Sequence, residues 1–508
     1  PPRPLPSWRM TVFPEKQSAT TPQGARATAR GTVELFAAQV FMAAAGLAIH
    51  VVLTRLLAPQ AYGTLAVITS VIVWWELLGL QLFARATTRF VAAAGERWRD
   101  VAGTALLGTA SWCGALAALS VVLAPAISRL LGDPSLTPYL RWFSADIVLY
   151  GLLQVVRSVL VGRHRYRAFA LTYALYWGAK AVAVSTLVAA GLDIAGAIAG
   201  SVVASLVALV VSARAGGAAF GRGFPLRRLV GFALPLLGAG LVFQTVNYLD
   251  LWALKALGAE PVAIGRYGLA KNVSAVLMGF LAVVGTAALP SLTRALVAGQ
   301  RETIVELVQQ SFRFVLLMGV GGVAALAAGS EALLAALFSP TYARAAVPLA
   351  MLTAAAVCFA ASTVATAILT AAGSSRLCLM AALPALPLAA LLAAWLVPRW
   401  GPIGAAGAAL GGAAGLVVPL GAAVHRQLGV LAPWRSLARI AAAATTVFLL
   451  GRALPLEGIA GILEPFLAYA TYLLLLIALG ELGRRDLEVL PLWPLLTKTK
   501  RGSGPAER

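Results

Sequence analysis

Apolar residues run along this chain in blocks, most of them near the roughly 20 residues an α-helix needs to cross the ~30 Å hydrocarbon layer of a bilayer. Short polar turns separate the blocks. Reading blocks against breakers predicts fourteen helices, near 31–56, 62–84, 101–127, 139–162, 167–190, 194–213, 229–254, 266–290, 303–328, 344–372, 376–397, 402–424, 436–453 and 458–481. Turn signals such as Gly132-Asp133-Pro134, Gly191-Leu192-Asp193 and Gly401-Pro402 punctuate them. No strand-like alternation competes, so the expected fold class is all-α, a polytopic membrane protein.

Composition strengthens that reading. Of the 508 residues only 12% are charged, about half the usual share of a soluble chain. The polar loops are too short for a sizeable soluble domain. The net charge of +21 would suggest a nucleic-acid partner in a soluble protein, but its placement follows membrane topology. With the N-terminus inside, 28 of the 40 basic residues fall in inside segments and 8 in outside segments, leaving Arg157, Lys180, Lys271 and Arg313 within helices. Basic residues gather on the cytoplasmic side, so both termini are expected there. Residues 1–30 are polar and bear Pro and Arg, with no apolar core or cleavage site, and read as a disordered cytoplasmic tail rather than a signal peptide. Cys113, Cys358 and Cys378 are scattered and fit neither a disulfide framework nor a metal site. His50, His164 and His425 do not cluster either. No cofactor is implied.

The chain also repeats itself. Tyr62-Gly63-Thr64-Leu65-Ala66 is echoed by Tyr267-Gly268-Leu269-Ala270, with the tyrosines 205 positions apart. Gly162 is echoed by Gly373, and the Gly/Ala-rich opening at Ile194 by that at Ile403. Six helices separate equivalent points, so the two units run the same way through the membrane. Transporters built from such repeats place their substrate between them. The expected organisation is a tail (1–30), a first lobe (31–214), a cytoplasmic linker (215–228), a second lobe (229–426), two further helices (427–482) and a cytoplasmic tail (483–508).

The runs LTRLLAPQAYGTLAVITSVIVWWELLGLQLFARATTRFVAA, LLQVVRSVLVGRHRYRAF and NYLDLWALKALGAEPVAIGRYGLAKNV resemble those of bacterial polysaccharide and oligosaccharide flippases. These belong to the multidrug/oligosaccharidyl-lipid/polysaccharide exporter (MOP) superfamily. The resemblance spans residues 31–426 and implies two six-helix lobes around a central cavity that moves lipid-linked sugars by alternating access. Asp250 stands where an aspartate recurs before the Tyr-Gly corner in similar proteins.

Ionisable residues inside a membrane cost from about 2.5 kcal/mol upward and normally face a cavity or a partner. In helix four Asp146 and Arg157 share a face, since eleven residues at 100° close to within about 20°. Arg157 either lines a cavity or snorkels toward Arg163. Helix five places Tyr173, Trp177 and Lys180 on one stripe, suited to sugar stacking and phosphate attraction or to ordinary packing. Asn247 and Asp250 share a sector of helix seven, and Asp250 either takes up a cation or pairs with Lys271. Arg313 is the deepest polar residue of helix nine. Glu76 stands beside Trp74 and Trp75 with no partner visible in sequence. Arg157, Lys180, Lys271 and Arg313, with Tyr173, Trp177 and Asn247, are therefore the candidate substrate-binding residues. Glu76, Asp146 and Asp250 are the candidate ion-coupling residues. The basic turn Gly-Arg-His-Arg-Tyr-Arg (162–167) either gathers headgroups or simply obeys the positive-inside bias.

Buried basic residues suit an anionic lipid pyrophosphate better than a cationic drug. The expected protein is a flippase in the bacterial cytoplasmic membrane, not an enzyme. Its partners would be lipid-linked oligosaccharide, membrane lipids, and the polymerase and glycosyltransferases of the same pathway, with no nucleic acid. No phosphate-binding P-loop is present to suggest ATP as the driver. A cation-coupled multidrug exporter, a peptidoglycan-precursor flippase and, less readily, a membrane glycan polymerase or ligase are the alternatives.

Overall fold

The computed structural model describes residues 22–482 save 220, 222, 430–433, 455 and 457. The described residues hold helices and turns and no strand. In chain order the helices are α1 (Pro22–Leu56), α2 (Pro59–Ala94), α3 (Trp98–Leu130), α4 (Leu136–Gly162), α5 (Tyr166–Leu187), α6 (Asp193–Ser212), α7 (Leu226–Ala256), α8 (Pro261–Val297), α9 (Arg301–Gly329), α10 (Glu331–Leu337), α11 (Ala346–Ala371), α12 (Ser375–Ala382), α13 (Ala385–Leu428), α14 (Trp434–Ala453) and α15 (Gly458–Ala478). Helices satisfy their own backbone hydrogen bonds, which is the condition for crossing lipid. Among the described residues nine stretches are long and apolar enough to span a membrane. Pro59–Leu130, Tyr166–Gly217 and Arg376–Leu428 each run through more than one helix, so this measure counts stretches rather than crossings.

Each expected segment falls on helix, with four local corrections. Helix α1 starts at Pro22, inside the segment read as a disordered tail, and residues 1–21 and 483–508 lie outside the described residues. The short α10 was not foreseen, because seven residues are too few to show a period. The expected helix 376–397 is interrupted between α12 and α13 at Leu383-Pro384, where proline has no N–H to continue the ladder. Finally, α13 runs past Gly401-Pro402 as a sharp kink, with Gly401 at φ 52°, ψ −126°.

Helix α2 holds the molecule together. It packs on α3 and α4 on one side and on α7 and α8 on the other. Its N-terminal end crosses α8 with the two backbones in contact. A Cβ placed on Gly63 would lie 2.7 Å from Gly265 N and 3.0 Å from Pro261 O, while one on Gly265 would collide with Pro59 O. These contacts are reciprocal, as at a two-fold interface. They pair Pro59 with Pro261 and Gly63 with Gly265, a register of 202 positions. The tyrosine echo at 205 is therefore offset from the structural register: the crossing fixes the glycines, and the tyrosines are free to differ.

Polar ties reinforce the same end, referred to below as the closed end. Arg55 donates to the carbonyls of Ala336 and Leu337 at 3.0 and 3.2 Å, using the unsatisfied C-terminal groups of α10. Lys255 at the end of α7 pairs with Asp133 between α3 and α4 at 2.7 Å. Partial burial opposes ionisation of Asp133, but hydrogen bonds from Lys255 and Ser135 outweigh it and hold the carboxyl below its ordinary value. At the opposite end the basic turn has a structural use. Arg163 and Arg165 donate to the carbonyls of Gly216 and Ala215 at 2.8 and 2.7 Å, and Arg163 lies 3.9 Å over the Trp98 ring.

Helices α14 and α15 dock on α9. Glu481, just past α15, is buried between Arg313 of α9 (2.7 Å) and Arg439 of α14 (3.2 Å), and Arg313 also donates to its backbone carbonyl. Burial opposes the Glu481 charge, yet hydrogen bonds from Ser436 and the two arginines hold its carboxyl below the usual value of 4.5. A depressed carboxyl adds stability that is complete above that value and drains away as pH falls below it. Glu481→Gln should therefore lower Tm at neutral pH and flatten its decline between about pH 5 and about pH 3, read by thermal unfolding in detergent. In the same assay Gly265→Ala should cost about 1–3 kcal/mol by forcing α2 and α8 apart. Gly114→Ala, whose methyl meets nothing within 4 Å, should be neutral or stabilise by up to about 1 kcal/mol.

Candidate functional site

Behind the closed end lies a cavity of ≈ 230 Å³. Its wall is built from α1 (Ile49, His50, Leu53), α2 (Tyr62, Leu65, Thr69, Ser70), α4 (Phe143), α5 (Trp177, Lys180, Val184), α6 (Ala197, Ser201), α7 (Tyr248, Leu251) and α8 (Lys271, Asn272). Helices from before and after the 215–228 segment thus contribute to one space. Polar bonds stitch α2 to α7 and α8 around it: Trp252 Nε1 to Ser70 Oγ at 2.9 Å, Trp74 Nε1 to Thr245 Oγ1 at 3.1 Å, and Asn272 Nδ2 to the Tyr62 hydroxyl at 3.1 Å. Trp74, Trp252 and Tyr248 form a run of ring contacts, with the Tyr248–Trp252 pair stacked at 6.2 Å.

The structure sorts the candidate residues by their partners. Lys180 is half-buried in the wall, 3.4 Å from the Tyr176 hydroxyl and 5.7 Å from the Trp177 ring centre, and among the described residues no acidic side chain lies within ion-pair distance of it. Lys271 also lines the cavity, but its charge is met by Asp250, whose two oxygens accept at 2.8 and 2.6 Å. The Tyr267 hydroxyl donates to the same carboxylate, which commits Asp250 to a buried pair. Arg157 is buried outside the cavity wall, with Nη2 on the Thr172 carbonyl at 2.6 Å and its guanidinium 5.2 and 5.4 Å from the Tyr173 and Tyr176 rings. Its Nε and Nη1 have no hydrogen-bond partner among the described residues. Tyr173 donates to Met42 Sδ at 2.8 Å, and neither Tyr173 nor Asn247 belongs to the wall. Arg313 lies away from it altogether, on Glu481.

Glu76 of α2 and Asp146 of α4 are both buried and within electrostatic reach of each other and of Lys180. Asp146 Oδ1 and Ser205 Oγ have no hydrogen-bond partner among the described residues. A carboxyl pair beside one lysine is one negative charge in excess when fully ionised, and a proton or cation would balance it.

His50, Tyr62, Tyr248 and Asn272 are wall residues that sequence reading passed over. For His50 the available signal was its place amid the apolar α1 block; requiring the histidines to cluster hid it.

In this helical membrane protein a cavity of mostly apolar lining with a few polar side chains is walled by both halves of the chain. Comparison with solved structures places its fold among MOP superfamily transporters. The lipid II flippase MurJ in an inward closed conformation superposes with a TM-score of 0.71 at 15% identity, covering 88% of this chain and 99% of that one. An inward-facing multidrug resistance MATE transporter gives 0.61 at 14%, with 82% and 94% covered. A MOP superfamily transporter from Pyrococcus furiosus, described by the reverse polarity of its binding pocket, gives 0.57 at 16%, with 84% and 95% covered. No curated protein matches the sequence. Residues 28–296 match the family described as polysaccharide biosynthesis protein, and the chain belongs to that family.

The Asp250–Lys271 pair gives a direct check of the charge accounting. Asp250→Asn leaves a buried lysine uncompensated and should cost about 3–5 kcal/mol in thermal unfolding. Adding Lys271→Met should recover much of that loss, because the orphaned charge is then gone.

Proposed function

We propose that this protein is a flippase that carries a polyprenyl-pyrophosphate-linked oligosaccharide across the bacterial cytoplasmic membrane by alternating access. The observation that carries the reading is Lys180: a cation without an ion-pair partner, set beside Trp177 and across from Tyr248 in a cavity walled by both halves of the chain. With the Glu76–Asp146 pair holding a proton or cation, a pyrophosphate supplies the negative charge that Lys180 then lacks, and the aromatic rings offer faces for a sugar. Membership of the polysaccharide biosynthesis family supports the lipid-linked sugar class.

In this reading the division into two lobes at residues 215–228 is the one on which the cycle turns. The Gly63–Gly265 crossing and the ties of Arg55 and Lys255 face the extracytoplasmic side, with both termini in the cytoplasm. The closed end would part while the opposite end closes, and the polyprenyl chain would stay in lipid. Arg157, with Nε and Nη1 unpartnered among the described residues behind the α5 aromatics, would supply a second cation once α4 and α5 shift. The Glu76–Asp146 pair beside Lys180 is the site where a proton or cation would exchange with the headgroup. Polymerase and glycosyltransferases of the same pathway would supply and consume the substrate.

The MurJ likeness favours a second reading within the same class, a peptidoglycan-precursor flippase, which differs only in headgroup. A drug exporter for cations fits less well, because the wall presents an unpaired cation.

In proteoliposomes loaded with a polyprenyl-pyrophosphate oligosaccharide, an impermeant enzyme outside should report headgroup transfer by the wild type. Lys180→Ala should slow it about tenfold or more, as loss of one charge-assisted contact of about 1.5–3 kcal/mol requires. Unchanged transfer in Lys180→Ala would remove this site from the reading. A wild type that moves no lipid but extrudes a cationic dye down an ion gradient would overturn the function itself.

A further inference from the structure

A second space lies toward the end opposite the closed end. It is a groove of ≈ 600 Å³ between α3 and α7, with Leu82 and Phe83 of α2 as its floor. One wall is a stripe of α3 from Thr104 through Leu107 and Ser111 to Ala115. The other is α7 from Leu226 through Val230 to Leu237. The steps of three, four and seven make each wall one face of its helix. Leu107 is 55% exposed within the apolar stretch Pro59–Leu130, so the groove opens to lipid.

The mouth of the groove is fixed by protein contacts alone. The segment between α6 and α7 lies against the start of α3: a Cβ on Gly103 would fall 2.1 Å from Gly221 O, and Thr104 Oγ1 donates to the Phe224 carbonyl at 3.2 Å. Phe224 in turn meets the Phe90 ring at 5.3 Å. Leu226 reaches α3 where Gly108 leaves room, since a Cβ there would lie 2.9 Å from Leu226 Cδ1. Trp112, also in the wall, uses its ring N–H on the Leu78 carbonyl at 3.2 Å. With Thr104 and Trp112 committed in this way, the side chains of the wall present carbon apart from the Ser111 hydroxyl.

Length and charge identify the occupant. Each wall advances eleven positions, from Thr104 to Ala115 and from Leu226 to Leu237, which at 1.5 Å per residue is about 16 Å. That is about half of the ~30 Å hydrocarbon layer, the depth of one leaflet and of one phospholipid chain. A polyprenyl chain of many isoprene units would overrun it. At the mouth, α7 opens with Arg227 and Arg228, both exposed, and carries no acidic residue in that turn. Among the described residues neither pairs with an acid. Asp100, at the head of α3, is met by Arg97 at 3.3 Å. Basic residues at the end of a groove between membrane helices draw anionic headgroups, and the first N–H groups of α7 add the same sign.

We propose that this groove binds one chain of an anionic phospholipid from the leaflet at that end, with its phosphate at Arg227 and Arg228. The orientation proposed above makes it the cytoplasmic leaflet; the site itself rests on the groove and its charge, not on the flippase reading. Because α3 and α7 stand on the two sides of the 215–228 division, a seated chain lies in the path by which this end would close.

The test is native mass spectrometry of the full-length protein with equimolar phosphatidylglycerol and phosphatidylcholine of matched chains. The wild type should retain one phosphatidylglycerol, favoured about tenfold over phosphatidylcholine, and Arg227→Gln with Arg228→Gln should bring it down to the phosphatidylcholine level. Ser111→Phe, at an exposed position in the wall, should fill the groove and lose the retained lipid with both arginines in place. Leu171→Phe, on an exposed face of α5, should retain it as the wild type does. Equal retention of the two lipids by the wild type, or undiminished retention by Ser111→Phe, overturns the proposal. Displacement of phosphatidylglycerol by equimolar polyprenyl phosphate assigns the groove to the carried lipid and overturns it as well. Retention is read without transport, so a protein that moves no lipid in proteoliposomes loses the flippase reading and keeps this site.

Discussion

Everything at the centre of this molecule depends on two helices meeting without side chains between them. In lipid there is little hydrophobic gain in bringing apolar helices together, so association rests on close packing and on interhelical hydrogen bonds. Gly63 and Gly265 allow α2 and α8 to touch backbone to backbone. That contact brings Tyr62, Ser70, Trp74, Thr245, Trp252 and Asn272 within bonding distance of partners on the other side. The cavity is the space left behind this crossing, and its polar wall is a consequence of where the crossing lies.

The second organising constraint is charge. A cation inside a bilayer is tolerated when something answers it. Lys271 is answered by Asp250, Arg313 by Glu481, and Arg157 in part by a carbonyl and two aromatic rings. Lys180 is answered by rings and a long hydroxyl contact, with the Glu76–Asp146 pair in reach but not in contact. Of the two cations on the cavity wall, Lys180 is the one left less compensated, and that asymmetry connects packing to the proposed function. The same logic assigns α14 and α15: one buried carboxylate with two arginines ties both to α9, so Glu481 explains Arg313 better than any ligand does.

Hydropathy is a local property of the chain, and it was enough to determine the all-helical membrane class and the approximate helix positions; the family was legible only through the resemblance of particular runs such as those around Tyr62 and Tyr267. It could also single out the intramembrane charges, because a charge within an apolar block is conspicuous whatever it touches. Partners were another matter. Arg313 and Glu481 are 168 positions apart, and Tyr62 and Asn272 are 210 apart. Nothing in either neighbourhood marks the other as its complement. The repeat was visible as an echo of tyrosines, yet its register follows the glycines, since close approach is enforced where backbones cross and not where side chains look alike. The sequence by itself therefore determined what kind of protein this is and which residues needed an explanation. Only the tertiary structure decided which of them were already satisfied by one another, because that depends on how helices distant in the chain are laid side by side.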